Sequence, residues 1–183
     1  MKQKQIFGWE KAKMLVDESG MTITCPDEDG FYLESCSAYQ KICNHNVAAV
    51  ECVIRWKKDR VFFIEAKTTA PDKDSQEKLN DYVKRIAAKY ENSIAMCYAM
   101  LHGILSFDSK YPIGNRLKEC LLNNPKIRFM LIVRNIDEVN CPLLAYMLNK
   151  ELRPTLKIWG AEAVIVKSGV QAAKKNIVQL NPA

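Results

Sequence analysis

Three charged side chains stand where a buried strand should carry none. Glu51 lies inside the apolar run VAAVECVIRW, and Glu65 and Lys67 lie inside RVFFIEAKTT. A buried, unpaired carboxylate costs several kcal/mol, so these groups need a cation, a partner or solvent at the rim of a sheet. Two acids and a lysine held together are what metal-assisted phosphodiester hydrolysis requires. The same three groups could also form a cross-strand ion-pair cluster with no chemistry at all.

Their placement depends on the segment 47–69, which reads as two strands joined by a tight basic turn. The first runs from Val47 to Trp56 and the second from Arg60 to Thr69. Both suit burial on two faces. Side chains alternate along a strand, so Glu65 and Lys67 share a face, and Ala66 points away from it. The turn decides where Glu51 goes. A two-residue loop at Lys58 and Asp59 pairs Glu51 with Ala66. A three-residue loop at Lys57 to Asp59, with Asp59 in the left-handed position, sets Glu51 opposite Glu65. A loop at Lys58 to Arg60 sets Glu51 opposite Lys67.

Around this hairpin the chain suggests further elements. Residues 8–19 read as an amphipathic helix bearing Trp9, Ala12, Leu15 and Val16, with Gly20 as its stop. The segment 26–30 is an acidic turn. Residues 39–43 look like a strand, turned by Asn44, His45 and Asn46 into the strand of Glu51, which gives a three-strand meander. A long helix follows over about 75–105, with Asp74 or Ser75 as its cap. Leu79, Tyr82, Val83, Ile86, Tyr90, Ile94 and Cys97 form its apolar stripe. Lys78, Lys84, Arg85 and Lys89 are assigned to its wet face. A short helix is expected over 115–122, and a buried strand over 127–134, parallel to an earlier strand. Asn140 and Pro142 open another helix. Residues 156–166 read as a last strand kinked at Gly160, and 170–177 as a closing helix. The whole is one α/β domain spanning 1–183: a mixed sheet flanked by helices, with a C-terminal helix–strand extension.

An acid in one strand, a hairpin, apolar residues running into Glu65-Ala66-Lys67 and then a long helix resemble the PD-(D/E)xK nuclease superfamily, which has the restriction-endonuclease-like fold. The resemblance covers roughly residues 9–134 in order of elements and the hairpin as a motif, with Glu51 in place of the usual aspartate. It implies a hydrolase of phosphodiester bonds, in DNA more than in RNA, using Mg²⁺ or Mn²⁺. Glu51 and Glu65 would hold the metal with the main-chain carbonyl of Ala66, and Lys67 would orient the attacking water. Related nucleases place a further acid on the first helix, for which Glu10 and Glu18 are candidates. A homodimer would suit cleavage of a duplex. Two other readings stay open: a nucleic-acid-binding or protein-interaction module on the same fold without cleavage, and an ion-pair cluster in an unrelated α/β protein.

Composition permits these readings without choosing among them. The chain has 183 residues, 27 Lys and Arg against 21 Asp and Glu, and a net charge of +6. That allows nucleic-acid binding but does not demand it. The turn residues Lys57, Lys58 and Arg60 could grip phosphates, with Trp56 stacking on a base; a solvated hairpin tip and a packed tryptophan are the plainer assignment. Seven cysteines, without a Cys-x-x-Cys pair, fit reduced thiols and a cytoplasmic setting. Cys43-Asn44-His45 lacks a second ligand pair, so no zinc site is expected. No apolar run reaches the roughly 18 residues of a membrane span.

Overall fold

The computed structural model describes residues 13–72, 74–106 and 112–182. The chain is α/β and holds two sheets. The larger has five strands in the order β3 (Gly30–Phe31), β4 (Cys52–Trp56), β5 (Arg60–Lys67), β6 (Lys126–Val133), β7 (Glu162–Ser168). β4 runs antiparallel to β3 and β5, whereas β5, β6 and β7 are mutually parallel. The smaller sheet is antiparallel, with β1 (Lys13–Glu18), β2 (Met21–Pro26) and β8 (Val178–Leu180) in the order β1-β2-β8.

The central strand β5 is apolar on both faces, and each face feeds a different core. Val61 and Phe63 point to a cluster with Tyr90, Ile94 and Phe129, built on α2 (Gln76–Leu101), α3 (Asn115–Leu122) and α4 (Cys141–Glu151). Phe129 stacks on Tyr90 with ring centroids 4.7 Å apart and meets Phe63 edge-on at 5.7 Å. Phe62 and Ile64 point the other way, to Ile23, Val16 and Val178 of the smaller sheet. Period-two alternation thus sorts one strand's residues between a helical layer and a second sheet.

Several expected elements take another form. Residues 13–18 are strand β1 and not helix; Leu15 is 59% exposed while Val16 is buried, which is strand alternation. Ser19 and Gly20 both have positive φ, 55° and 70°, so the pair closes a two-residue hairpin where a helix stop was expected. The rest of the expected helix, residues 8–12, lies outside the described residues. Residues 39–43 are not a strand. They fall in α1 (Ser37–Ile42), whose start is capped by the Cys36 thiol accepting from Tyr39 N–H at 3.4 Å, and in the 3-10 turn Cys43–His45 that follows. The first strand of the meander is instead the short β3. Residues 153–158 form helix α5 (Arg153–Ile158), with Pro154 in its first turn, so β7 starts only at Glu162. Gly160, at φ 57°, takes the left-handed position beyond that helix and does not kink a strand. The closing helix α6 (Gly169–Lys174) is opened by a Ser168–Gln171 capping box. β7 completes the larger sheet, and β8 joins the smaller one.

Among the described residues, no helix is long and apolar enough to cross a membrane. The hairpin has the three-residue loop: Trp56 pairs with Arg60 and Cys52 with Ile64. The left-handed residue is Lys57, at φ 65°, and not Asp59. Lys57→Gly is therefore expected to stabilise the chain by about 0.5–1 kcal/mol in urea unfolding, and Asp59→Gly to give no gain.

Candidate functional site

The register of the hairpin builds the site. One step beyond the Cys52–Ile64 pair, Glu51 comes opposite Glu65. Glu65 and Lys67 share the face of Val61 and Phe63, which looks onto α2. Glu65 is 0% exposed and Glu51 1%. The Lys67 side chain, at the end of β5, is 31% exposed and opens the cluster to solvent. Its ammonium lies 2.7 Å from Glu65 Oε1 and 3.7 Å from Glu51 Oε1, so one cation bridges both acids.

A second lysine comes from α2. Lys89 Nζ stands 2.8 Å from Glu65 Oε1, 3.8 Å from Glu51 Oε1 and 3.7 Å from Glu34 Oε1. Polar contacts fix this helix against the chain leading into β4. Ser93 Oγ accepts from Val50 N–H at 2.8 Å and donates to the Lys89 carbonyl at 2.6 Å. Asn92 Nδ2 donates to the Ala48 carbonyl at 3.1 Å. Glu34, after β3, is held beside Glu51 by its own N–H, 3.5 Å from the Glu51 carbonyl. The site is thus Glu34, Glu51, Glu65, Lys67 and Lys89, drawn from three separate stretches of chain.

The two central acids differ in protonation. Burial, then the hydrogen bond with Glu34 and the charges of Glu65 and Glu34, push the Glu51 carboxyl up to about 9. Near neutral pH it is therefore the protonated acid of the pair. Burial also pushes Glu34 up, but the hydrogen bond from Glu51 and the Lys89 and Lys67 charges outweigh it, and Glu34 lies below its ordinary value. Glu65 is raised by burial and pulled back in part by Lys89 and Lys67. Lys89 loses by burial and gains more from Glu65, so it rises. With two ammonium groups within 2.8 Å, Glu65 is the carboxylate. One proton on Glu51 then balances two carboxylates against two ammonium groups. Both of these close contacts to Glu65 fall on Oε1. Oε2 of Glu65 and Oε2 of Glu51 are buried without a hydrogen-bond partner.

Of the residues singled out in the sequence, Glu51, Glu65 and Lys67 come together, and the Ala66 carbonyl lies between the last two. That carbonyl accepts from Ser19 Oγ at 3.3 Å, and the same hydroxyl lies 3.4 Å from Glu18 Oε1. Glu18 therefore reaches the edge of the site from a strand and not from a helix. Glu10 lies outside the described residues. Lys57, Lys58 and Arg60 are at the far end of the hairpin, roughly 23 Å along β5 from Lys67. Arg60 is engaged with Glu162 at 3.5 Å.

Lys89 and Glu34 are the residues that sequence reasoning missed. Lys89 carried a signal: it stands three residues after Ile86 and four before Ser93, both buried, so it belongs to the buried stripe and not to the wet face. Glu34 sits in an irregular segment where no periodicity points inward. Compared with family models, curated proteins and solved structures, the chain matches none.

Two outcomes test this electrostatic assignment. The folded Glu51 carboxyl lies above its unfolded value. Its full stabilising contribution is present below about pH 4.5 and is lost as pH rises toward 9. Glu51→Gln, which imitates the protonated acid, is expected to raise Tm at pH 8 and to change it little at pH 5. Lys89→Ala leaves a buried carboxylate half-paired and is expected to cost about 3–5 kcal/mol in denaturant unfolding.

Proposed function

We propose that this chain is a metal-dependent nuclease with a restriction-endonuclease-like core, hydrolysing phosphodiester bonds in DNA more than in RNA. The observation that carries this reading is the pair of buried, partnerless carboxyl oxygens, Oε2 of Glu51 and Oε2 of Glu65, set on neighbouring strands beside a half-exposed lysine. Buried polar atoms are nearly always satisfied, so orphan oxygens on two neighbouring acids leave room for an oxygen-binding partner. The order of elements supports it too. An antiparallel meander, a long helix and then a strand parallel to the third is the order the resemblance implies.

The donor set fits a hard divalent cation. Mg²⁺ commonly takes one or two carboxylates and keeps several waters, which suits two acids and a main-chain carbonyl. No group of three or more His, Cys, Asp or Glu side chains arranged for a metal occurs among the described residues. On the nuclease reading, Glu51, Glu65 and the Ala66 carbonyl are the atoms that would hold Mg²⁺ or Mn²⁺. Such an ion supplies Lewis acidity and charge stabilisation at a phosphate. Glu51 would release its proton to become a ligand. Lys67, reachable from solvent, would place its ammonium on the attacking water or on the charge growing on the phosphate oxygens. Lys89, deeper, would hold Glu65 in its rotamer while Lys67 moves to the substrate. Glu34 would accept the hydrogen bond or proton that Glu51 gives up.

A second reading is favoured by the charge count. With Glu51 protonated, the cluster is neutral without any cation, as a structural ion-pair cluster would be.

Calorimetry with Mg²⁺ and Mn²⁺, followed by cleavage assays on single- and double-stranded DNA and RNA, separates the two. The nuclease reading expects binding that Glu65→Ala removes, and cleavage that falls on the order of 10²-fold or more in Lys67→Ala. Absence of both metal uptake and cleavage leaves the structural cluster.

A further inference from the structure

A cavity of about 600 Å³ opens between the two sheets, at the hairpin end of β4 and away from the acid cluster. Its volume lies within the range of small-molecule sites. Ile54, Trp56 and Ile177 give it apolar walls. Ile54 belongs to the core under the smaller sheet, and Trp56 meets Phe62 edge-on at 6.1 Å. These walls therefore stand on the face of the larger sheet opposite Glu65 and Lys67. Trp56 keeps 36% of its surface exposed, so an indole face is available to a flat ligand.

The rim is cationic. Arg55, Lys57 and Arg116 line it with Asp29, and Glu28 pairs with Arg116 beside the lining, so three cations face two acids. Asp29 is itself buried and fully engaged: Arg55 Nε lies 2.6 Å from Oδ1, and Arg116 Nη2 lies 2.7 Å from Oδ2. Arg55 Nη1 donates to the Lys57 carbonyl at 2.9 Å, and Arg116 Nε meets Glu28 at 3.1 Å. A guanidinium has five N–H donors, so each arginine is anchored by two nitrogens and keeps donors to spare. Asp29 and Glu28 thus orient the two arginines, and Lys57 leaves the rim with one positive charge in excess. Anchored guanidinium forks are suited to phosphate oxygens.

We propose that this cavity is a binding site for a phosphorylated heteroaromatic group, a nucleotide in chemical terms. Its ring packs on Trp56 between Ile54 and Ile177, and its phosphate lies against Arg55 and Arg116. This site is separate from the acid cluster and does not depend on its proposed activity. The same chemistry is offered by a free nucleotide and by the phosphorylated 5′ end of a strand.

Isothermal titration of the full chain tests it, using AMP, GMP, CMP and UMP, then adenosine and orthophosphate alone, then a short oligonucleotide with a 5′-phosphate or a 5′-hydroxyl. Saturable binding is expected for at least one nucleoside monophosphate, or for the 5′-phosphorylated strand if the source is a strand end. Affinity should fall about tenfold or more in Arg116→Gln and in Trp56→Leu, as for loss of one charge-assisted contact or one stacking surface. Arg116 is half-exposed, and thermal melts of both variants show whether each remains folded. Three results overturn the site: no saturable binding by any of these probes, adenosine binding as tightly as AMP, or orthophosphate binding as tightly as the nucleotide. Undiminished binding by a folded Arg116→Gln and a folded Trp56→Leu overturns it as well.

Discussion

One buried carboxylate sets the terms for this fold. Glu65 lies on the central strand with no exposed surface, and a lone charge there would cost several kcal/mol. The chain meets that cost by bringing two ammonium groups to a single oxygen, one from the end of the same strand and one from α2. Each needs its carrier in register. Lys67 must be two residues beyond Glu65, on the same face. Lys89 must face the sheet, which Ser93 and Asn92 enforce by gripping the backbone ahead of Glu51. The docking of the longest helix and the pairing of the hairpin are therefore one constraint seen from two sides.

The hairpin and the acid–acid–lysine triad were legible because alternation and charge act locally along a strand. Placing charge within apolar runs is costly, so it stands out against the composition around it. The parallel strand after the long helix was legible from local pattern too: β6 carries the apolar run Phe129–Val133 between Arg128 and Arg134. What was not legible depended on partners far along the chain. Leu15 and Val16 satisfy a helical stripe as well as one buried strand position, and only pairing with β2 decides between them. The run YQKIC contains strand-forming residues, but a cap at Cys36 starts a helix there. Lys89 was assigned by its residue type, although its spacing from Ile86 and Ser93 placed it inward. Glu34 had no local signature, since its role comes entirely from lying beside Glu51.

The two faces of β5 divide the labour. Odd-numbered residues meet the helices and carry the charges. Even-numbered residues meet the smaller sheet and carry only apolar groups, until the strand reaches Arg60. This division explains why a one-residue change in the hairpin would do more than shift a contact. It would turn Glu65 and Lys67 toward Ile23 and Val178, where no counter-charge waits, and expose Phe62 and Ile64 to α2. The strain of Lys57 in the left-handed region is the local cost of holding the one register that keeps Glu51 opposite Glu65.

On the proposed metal-dependent reading, a proton and a divalent cation would compete for the same place in this cluster. Three carboxyl groups face two ammonium groups, so one positive charge is missing if all three acids ionise. Burial raises the Glu51 carboxyl to about 9, so near neutral pH a proton there would fill that deficit. The proton can satisfy only one oxygen, and it leaves Oε2 of both central acids without partners. A divalent cation ligated by those oxygens would cover the missing charge and leave one positive charge in excess, which a substrate phosphate would meet. The same count also explains the two lysines. With Lys67 alone, Glu65 would lose its counter-ion whenever that side chain turned toward a substrate. With Lys89 beneath it, the buried carboxylate would stay paired if the more exposed ammonium turned away.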